Sequence, residues 1–132
     1  MGDQYPRFKA AAVMASPIFL DREATTEKAC KLIAEAAGQG ARLIVFPEAF
    51  VPGYPYWIWL MTPTRGAPHF VKLFKNSVEL DSPTTKQLGQ AARAANVHVV
   101  IGIEEKPLSE AKPSVLKPSL AETPAEKIKP VA

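Results

Sequence analysis

The sequence predicts an α/β fold built on a parallel sheet. Short apolar runs alternate along the chain with longer stretches whose apolar residues recur at helical spacing. The first two runs end at prolines, which interrupt both strands and helices. Of the 132 residues, 47% are hydrophobic and 22% are charged, as in a globular domain. A chain order of strand, helix, strand, two helices and strand is typical of parallel strands joined by crossover helices.

The first strand and the first helix are predicted from the N-terminal third of the chain. Residues 8–15 form a nearly continuous apolar run, which is typical of a strand buried on both faces. Asp21 is of the residue type that caps a helix, and Gly38 with Gly40 is typical of the end of one. The buried stripe of this helix is predicted to contain Ala29, Leu32, Ile33 and Ala36.

The second strand is followed by a segment rich in proline and aromatic residues. The strand is predicted over residues 43–46, and Pro47 closes it. Residues 47–66 contain four prolines, two glycines and five aromatic residues, so we expect a long ordered loop. Apolar residues at helical spacing over 70–78 predict a short helix after this loop.

A further helix and a third strand complete the predicted sheet. Ser82 followed by Pro83 is typical of a helix start, and Asn96 suits the left-handed conformation at a helix end. Residues 97–103 form the third apolar run. Three strands and three helices make an incomplete layer, so we expect exposed apolar surface unless a partner covers it.

The composition changes near residue 104. Residues 104–132 contain five of the thirteen prolines, five glutamates and five lysines, but neither a glycine nor an aromatic residue. Such a segment has little with which to build a core. We therefore divide the chain into a folded domain, residues 1–103, and a Pro-rich extended C-terminal tail, residues 104–132, which we expect to be disordered.

Charge, cysteine content and hydropathy exclude several classes of protein. The single cysteine excludes an internal disulfide framework and a cysteine-rich zinc module. The longest apolar stretch, residues 54–61, is far shorter than the roughly 18 to 20 residues that span a bilayer. A net charge of +3 is too small to indicate a nucleic-acid partner. We expect a cytoplasmic protein that acts without a membrane or nucleic-acid partner.

The two histidines do not predict a metal site. His69 and His98 fall on a helix start and a strand, far apart in the sequence. Neither has cysteine or carboxylate neighbours at the spacing of metal ligands. We therefore expect the protein to bind no metal.

Glu48 is the candidate catalytic residue of the sequence. It directly follows the end of the second predicted strand, and active groups in open α/β sheets collect just past the carboxyl ends of strands. A carboxylate held there beside the aromatic loop is suited to general-base catalysis. The alternative is a structural carboxylate that caps a nearby helix or pairs with a lysine. The residue pattern alone leaves both interpretations open.

The stretch around Glu48 carries a resemblance to a known family. Residues 43–59, LIVFPEAFVPGYPYWIW, closely resemble the segment around the catalytic glutamate of nitrilases, in the carbon-nitrogen hydrolase superfamily. Residues 8–17, 27–37 and 97–103 resemble the family's first strand, first helix and third strand. The resemblance implies one layer of an α-β-β-α sandwich and assigns Glu48 as the general base.

The resemblance also assigns roles within the aromatic loop. Tyr54 matches a position that resembles a substrate-pocket tyrosine of the family. Trp57 and Trp59 are instead expected to be core or subunit-contact residues. A nucleic-acid stacking platform is the remaining alternative. Such platforms pair aromatic with basic residues, however, and residues 54–61 contain no basic residue.

The family's chemistry implies three groups. A cysteine thiolate attacks the carbon of a small-molecule nitrile, a lysine stabilises the developing charge, and a glutamate transfers protons until a carboxylic acid and ammonia are released. The reaction needs neither a metal nor an organic cofactor. Because family members are oligomeric, the resemblance also implies self-association.

Only the glutamate of this set maps onto the sequence. The match ends near residue 104, before the family's lysine and cysteine positions, and Cys30 precedes Glu48 on a predicted helix, bordering its buried stripe. Met14 is a second departure, since nitrilases commonly carry glutamine there. We therefore expect the chain to be inactive on its own. The alternatives are a non-catalytic, truncated association module and a frameshifted product whose other reading frames past codon 104 would restore the family pattern.

Overall fold

The computed structural model describes residues 5–107, and the α/β prediction is confirmed there. Three α-helices accompany a single sheet of three parallel strands in this range. The predicted tail lies outside the described residues from residue 108 onward. The elements, in chain order, are β1 (Ala10–Ala12), α1 (Arg22–Gly38), β2 (Leu43–Val45), a 3₁₀ helix (Tyr56–Trp59), α2 (Pro63–Asn76), α3 (Pro83–Ala95) and β3 (His98–Val100).

The sheet places β2 between β1 and β3. Ala11, Ile44 and Val99 lie side by side in the register of the three strands. Backbone pairing continues past the strand ends, where the Val13 amide donates to the Val45 carbonyl at 2.8 Å. Because all strands are parallel, the segments that follow them emerge at one edge of the sheet.

Helix α1 begins and ends at the predicted residues. The Asp21 side chain accepts a hydrogen bond from the Ala24 amide at 2.9 Å, which satisfies one of the free amides of the first turn. The helix ends at Gly38, and Gly40 follows with a left-handed φ of 89°. Ile33 of α1 is fully buried in the same core cluster as Ile44 of β2.

The prediction that the first strand is buried on both faces is wrong for the described residues. Half-buried Ala11 lies between exposed Ala10 and Ala12, so only alternate residues enter the core. The helices α1 and α3 pack against each other. On the opposite sheet face, Met14 is 98% exposed and Val100 is 55% exposed. The predicted exposed apolar surface is therefore present.

The predicted loop over residues 47–66 contains more helix than expected. A 3₁₀ helix forms within it, and α2 begins at Pro63, where proline has no amide to lose and a φ suited to the first helical position. The helix accommodates Pro68 in its interior and ends at Asn76. Gly66 permits close packing, because a Cβ there would lie 2.9 Å from Cδ1 of Trp57.

Helix α3 and the chain beyond β3 complete the fold. The helix starts at Pro83 after Ser82 and ends at Ala95, and the following residue, Asn96, has the predicted left-handed backbone with a φ of 52°. Beyond β3, the Glu104 amide donates to the Val51 carbonyl at 2.8 Å and the Lys106 amide donates to the Val78 carbonyl at 3.0 Å. Backbone pairing thus continues past the predicted boundary at residue 103. None of the helices within residues 5–107 has both the length and the hydropathy of a membrane span.

Candidate active site

Glu48 lies on a turn that leaves the sheet after β2 and returns to it. The Phe46 amide donates to the Val100 carbonyl at 2.8 Å, the chain then turns through residues 48–50, and the Val51 amide donates to the Gly102 carbonyl at 3.2 Å. The turn is therefore fixed to the extension of β3 on both sides. The Glu48 side chain is exposed at this turn.

A cleft of about 330 Å³ opens beside this turn. One wall follows β1 and the other follows β2, so the cleft lies at the carboxyl ends of two adjacent parallel strands. The residues that line it are Ala15, Ser16, Pro17, Phe19, Pro47, Glu48, Ala49, Phe50, Tyr54 and Tyr56.

Buried polar and backbone contacts hold the first wall of the cleft. The hydroxyl of fully buried Thr25 donates to the Ile18 carbonyl at 2.8 Å and accepts from the Ile18 amide at 3.1 Å. The Leu20 amide donates to the Pro52 carbonyl at 3.0 Å, which ties this wall to the loop after Val51. The segment from 17 to 20 is therefore held by both α1 and the aromatic loop.

Tyr54 lies in the same cleft as Glu48. Its side chain is half-buried, and its ring lies 5.1 Å from the Tyr56 ring, centre to centre. The structure thus brings the two residues singled out in the sequence to one site. Their catalytic and substrate-binding roles stay predictions. Of the two tryptophans, Trp57 is buried, whereas Trp59 is 75% exposed.

Glu48 is the only charged side chain among the described residues that line the cleft. Across residues 5–107 its carboxylate has no ion pair and no side-chain hydrogen bond, so neither a helix cap nor a lysine engages it there. An exposed, unpaired carboxylate can accept a proton from a bound group and return it. The remaining polar groups of the lining are the hydroxyls of Ser16, Tyr54 and Tyr56.

Cys30 lies away from this cleft. It is on α1, where its Sγ lies 3.9 Å from the Gln87 carbonyl oxygen of α3, and it borders a separate depression with Ala34 and Ala91. Burial raises the pKa of the Cys30 thiol, and the negative charge of Glu27 adds to the increase. Both effects disfavour the thiolate, which is the nucleophilic form.

Other candidate sites are structural in character. His69 packs on Trp57 with ring centres 5.4 Å apart. In the described part of the chain, no three His, Cys, Asp or Glu side chains are placed to hold a metal ion. A polar depression of about 390 Å³ lies between α1 and the start of α3, and its lining includes the paired charges of Arg22 with Glu23 and of Lys106 with Glu79.

Sequence reasoning missed two residues that shape the site. Thr25 was not singled out, because its role depends on a partner outside its own helix. Gly102 was read only as part of the third strand, yet it lies directly against the Glu48 turn. A glycine within an apolar strand run is a signal of close backbone approach, and it was available in the sequence.

Comparison with known proteins gives one family. A carbon-nitrogen hydrolase family profile matches residues 9–123. This match extends beyond residue 104, near which the resemblance noted in the sequence ends. A nitrilase of Bacillus sp. (strain OxB-1) is 46% identical over 102 residues, which cover 77% of this chain and 30% of that protein. An aliphatic nitrilase of Rhodococcus rhodochrous is 47% identical over 100 residues (75% and 27%). A cyanide hydratase of Leptosphaeria maculans is 38% identical over 99 residues (75% and 28%).

These alignments show which family the chain matches and how much of each relative it covers. The chain spans at most 30% of the length of each of these relatives. The matched residues nevertheless include the whole sheet, the Glu48 turn and the cleft beside it. The chain therefore belongs to the carbon-nitrogen hydrolase family.

Proposed function

We propose that this chain supplies the general-base glutamate of a nitrile-hydrolysing site, with Glu48 as the proton-transferring group and Tyr54 as a substrate contact. The observation that carries the proposal is the position of Glu48, the only charged residue in the described lining of a cleft at the ends of two parallel strands. The names of two relatives, nitrilase and aliphatic nitrilase, support a nitrile as the substrate class.

Glu48 would act as a proton carrier in the reaction. Water adds to the carbon of a nitrile while its nitrogen gains protons and leaves as ammonia, so protons must move between these atoms. A carboxylate beside the reacting carbon takes a proton from the nucleophile or from water and returns it to nitrogen. The resemblance assigns the nucleophile to a cysteine thiolate and charge stabilisation to a lysine, and the described lining of the cleft holds neither residue type.

We further propose that the 132-residue chain does not hydrolyse nitriles by itself. Its single cysteine lies on α1 against α3, and the pKa of that thiol is raised. A general base without a nucleophile cannot form the covalent intermediate of the family reaction. The compartment proposed with this function is the cytoplasm, where an unpaired thiol stays reduced.

Ammonia release tests the inactivity of the chain. Purified full chain incubated with an aliphatic and an aromatic nitrile is expected to release no ammonia, and mass spectrometry is expected to find no covalent adduct. Turnover that persists in Cys30→Ala but is lost in Glu48→Gln would contradict this proposal, because the chain would then use another nucleophile.

A chimera tests the role of Glu48. Residues 9–107 would replace the matching segment of the Bacillus nitrilase, so that the rest of that protein completes the site. If the chimera hydrolyses nitriles, Glu48→Gln is expected to lower its kcat/KM by about 100-fold or more, the usual range for loss of a general base. The control Glu35→Gln changes an exposed glutamate of α1 and is expected to have no effect. Full activity of the Glu48→Gln chimera would exclude the proposed role.

An association module is the second candidate function. The exposed apolar face of the sheet favours it, since Ala12, Val45 and Val100 lie in one register row on that face and all three are exposed. Contiguous exposed apolar surface is typical of an interaction site. In this case the chain would bind a second copy through the sheet, whether or not Glu48 takes part in catalysis.

A further inference from the structure

We infer that Gly102 is a positioning residue for Glu48: by lacking a side chain, it lets the Glu48 turn lie directly on the extension of β3. The inference rests on the proposed function of Glu48 and adds a residue that acts on the same site without touching the substrate. It comes from three sets of observations, namely the space above Gly102, the hydrogen bonds around the turn and the backbone conformation within it.

The space above Gly102 is filled by backbone. A Cβ added to this residue would overlap the Ala49 amide nitrogen and would lie 2.8 Å from the Pro47 carbonyl oxygen and 2.9 Å from the Glu48 carbonyl carbon. Carbon contacts are optimal at about 3.5 to 4.0 Å, so each of these approaches is repulsive. All three are backbone atoms of the turn that carries Glu48 or of Pro47 directly before it, and none is the end of a flexible side chain.

Hydrogen bonds fix the turn to the same strand extension on both sides. The Phe46 amide donates to the Val100 carbonyl at 2.8 Å, and the Val51 amide donates to the Gly102 carbonyl at 3.2 Å. The Glu104 amide donates back to the Val51 carbonyl at 2.8 Å. The turn therefore cannot move away from residue 102 as a unit without breaking these bonds, and a side chain there would displace the turn between its two attachments.

The conformation of the turn limits how it can adjust. Ala49 has a left-handed φ of 48°, and its side chain is buried. Left-handed backbone is unfavourable for a residue with a Cβ, so this conformation depends on the contacts that surround it. Displacing the Ala49 amide would alter the peptide that joins it to Glu48. The effect of a substitution at Gly102 is therefore transmitted to the carboxylate.

Catalysis depends on the position of such a group within about 1 Å. Among the described residues, the exposed Glu48 carboxylate has no ion pair and no side-chain hydrogen bond to hold it, so its location depends on the backbone beneath it. Gly102 supplies that backbone support. The competing explanation is that Gly102 serves only packing, in which case its substitution would lower stability and leave Glu48 in place once the chain is folded.

Carboxyl NMR on the full chain separates these explanations. Glutamate is labelled with ¹³C at Cδ, and the Glu48 signal is identified by its loss in Glu48→Gln. In folded Gly102→Ala, the Glu48 carboxyl signal is expected to move, whereas the signals of Glu27 and Glu35 on α1 stay at their parent values. The matched control is Gly89→Ala on α3, where an added Cβ meets no atom within 4 Å, and it is expected to leave the Glu48 signal unchanged.

An unmoved Glu48 signal would overturn the positioning role of Gly102. A folded Gly102→Ala with an unmoved Glu48 signal would refute it. If Gly102→Ala does not fold, the double variant Gly102→Ala/Ala49→Gly is measured, because glycine tolerates left-handed backbone and lets the turn adjust. An unmoved signal in the double variant, or loss of folding in both variants, would assign Gly102 to the fold alone. Because this readout needs no turnover, it is independent of the chimera experiment on Glu48.

Discussion

Uncharged residues hold the backbone around Glu48, the charged residue of the described cleft lining. Gly102 lies beneath the Glu48 turn, and Thr25 holds the opposite wall of the cleft through two hydrogen bonds to Ile18. Gly53 acts similarly on that wall, because a Cβ there would lie 2.9 Å from the Phe19 ring and its φ of 131° disfavours other residues. Substitutions at these positions are expected to affect the site through the backbone.

The titration of Cys30 is a prediction at the residue scale. Because burial raises the pKa of this thiol, the pH dependence of its alkylation in the folded chain is expected to have a midpoint above the ordinary value of about 8.5. The raised pKa also sets how the free energy of unfolding depends on pH. The stability contributed by protonated Cys30 is fully present below the unfolded-state pKa and is lost as the pH rises through the folded-state pKa.

Alkylation rates with iodoacetamide, measured from about pH 6 to about pH 10, check this expectation, because this range surrounds the ordinary thiol pKa. The same chain unfolded in urea is the control and should give the ordinary midpoint. A midpoint in the folded chain below that of the unfolded chain would indicate an activated thiol and would return Cys30 to consideration as a nucleophile.

At the scale of elements, the helices α1 and α3 start differently. The Asp21 side chain accepts a hydrogen bond in the first turn of α1, whereas the buried Ser82 hydroxyl at the start of α3 has no hydrogen-bond partner among residues 5–107. Both residues are of capping type, so the sequence alone predicts the same role for them. The Ser82 side chain makes no cap hydrogen bond, so α3 depends on Pro83 and on packing against α1.

The caps give a paired prediction. Asp21→Ala is expected to lower the free energy of unfolding by about 0.5 to 2 kcal/mol, because an amide of the first turn loses its acceptor. Ser82→Ala is expected to be nearly neutral, because it removes a buried hydroxyl that has no hydrogen-bond partner in the described part of the chain. Urea unfolding followed by circular dichroism measures both, and equal losses in the two variants would contradict the difference between the caps.

At the scale of the whole molecule, helices cover one face of the sheet and leave the other exposed. Ile44 is fully buried on the helix side, while its neighbour Val45 is 38% exposed on the other side. A sheet with an apolar uncovered face is expected to associate. The relatives are more than three times as long as the matched segment. We expect the exposed sheet face of this chain to bind a second copy.

Self-association through this face is the prediction at the molecular scale. Light scattering of the full chain is expected to give a mass above that of one chain, and Val100→Lys is expected to lower it because the lysine places charge on the apolar face. Val71→Lys on α2 is a matched control, since Val71 and Val100 are both 55% exposed. A monodisperse monomer for the unsubstituted chain would exclude the association module.

Local signals in the sequence determined much of this protein. The cap at Asp21, the helix between Pro83 and Asn96, and the position of Glu48 after the second strand each depend on a few neighbouring residues, and the structure has the same elements. The family could be identified from the resemblance around Glu48. These features are local because helix capping and the restrictions that proline imposes act over a few neighbouring residues.

Only the tertiary structure decided the features that join distant residues. The early start of α2 is associated with Trp57 packing on Gly66, and the exposed sheet face follows from which side the helices cover. The contact of Gly102 with the Glu48 turn brings together residues more than fifty positions apart. Such contacts depend on how whole elements pack, and no pattern within either segment specifies the partner, so they could be seen only in the folded chain.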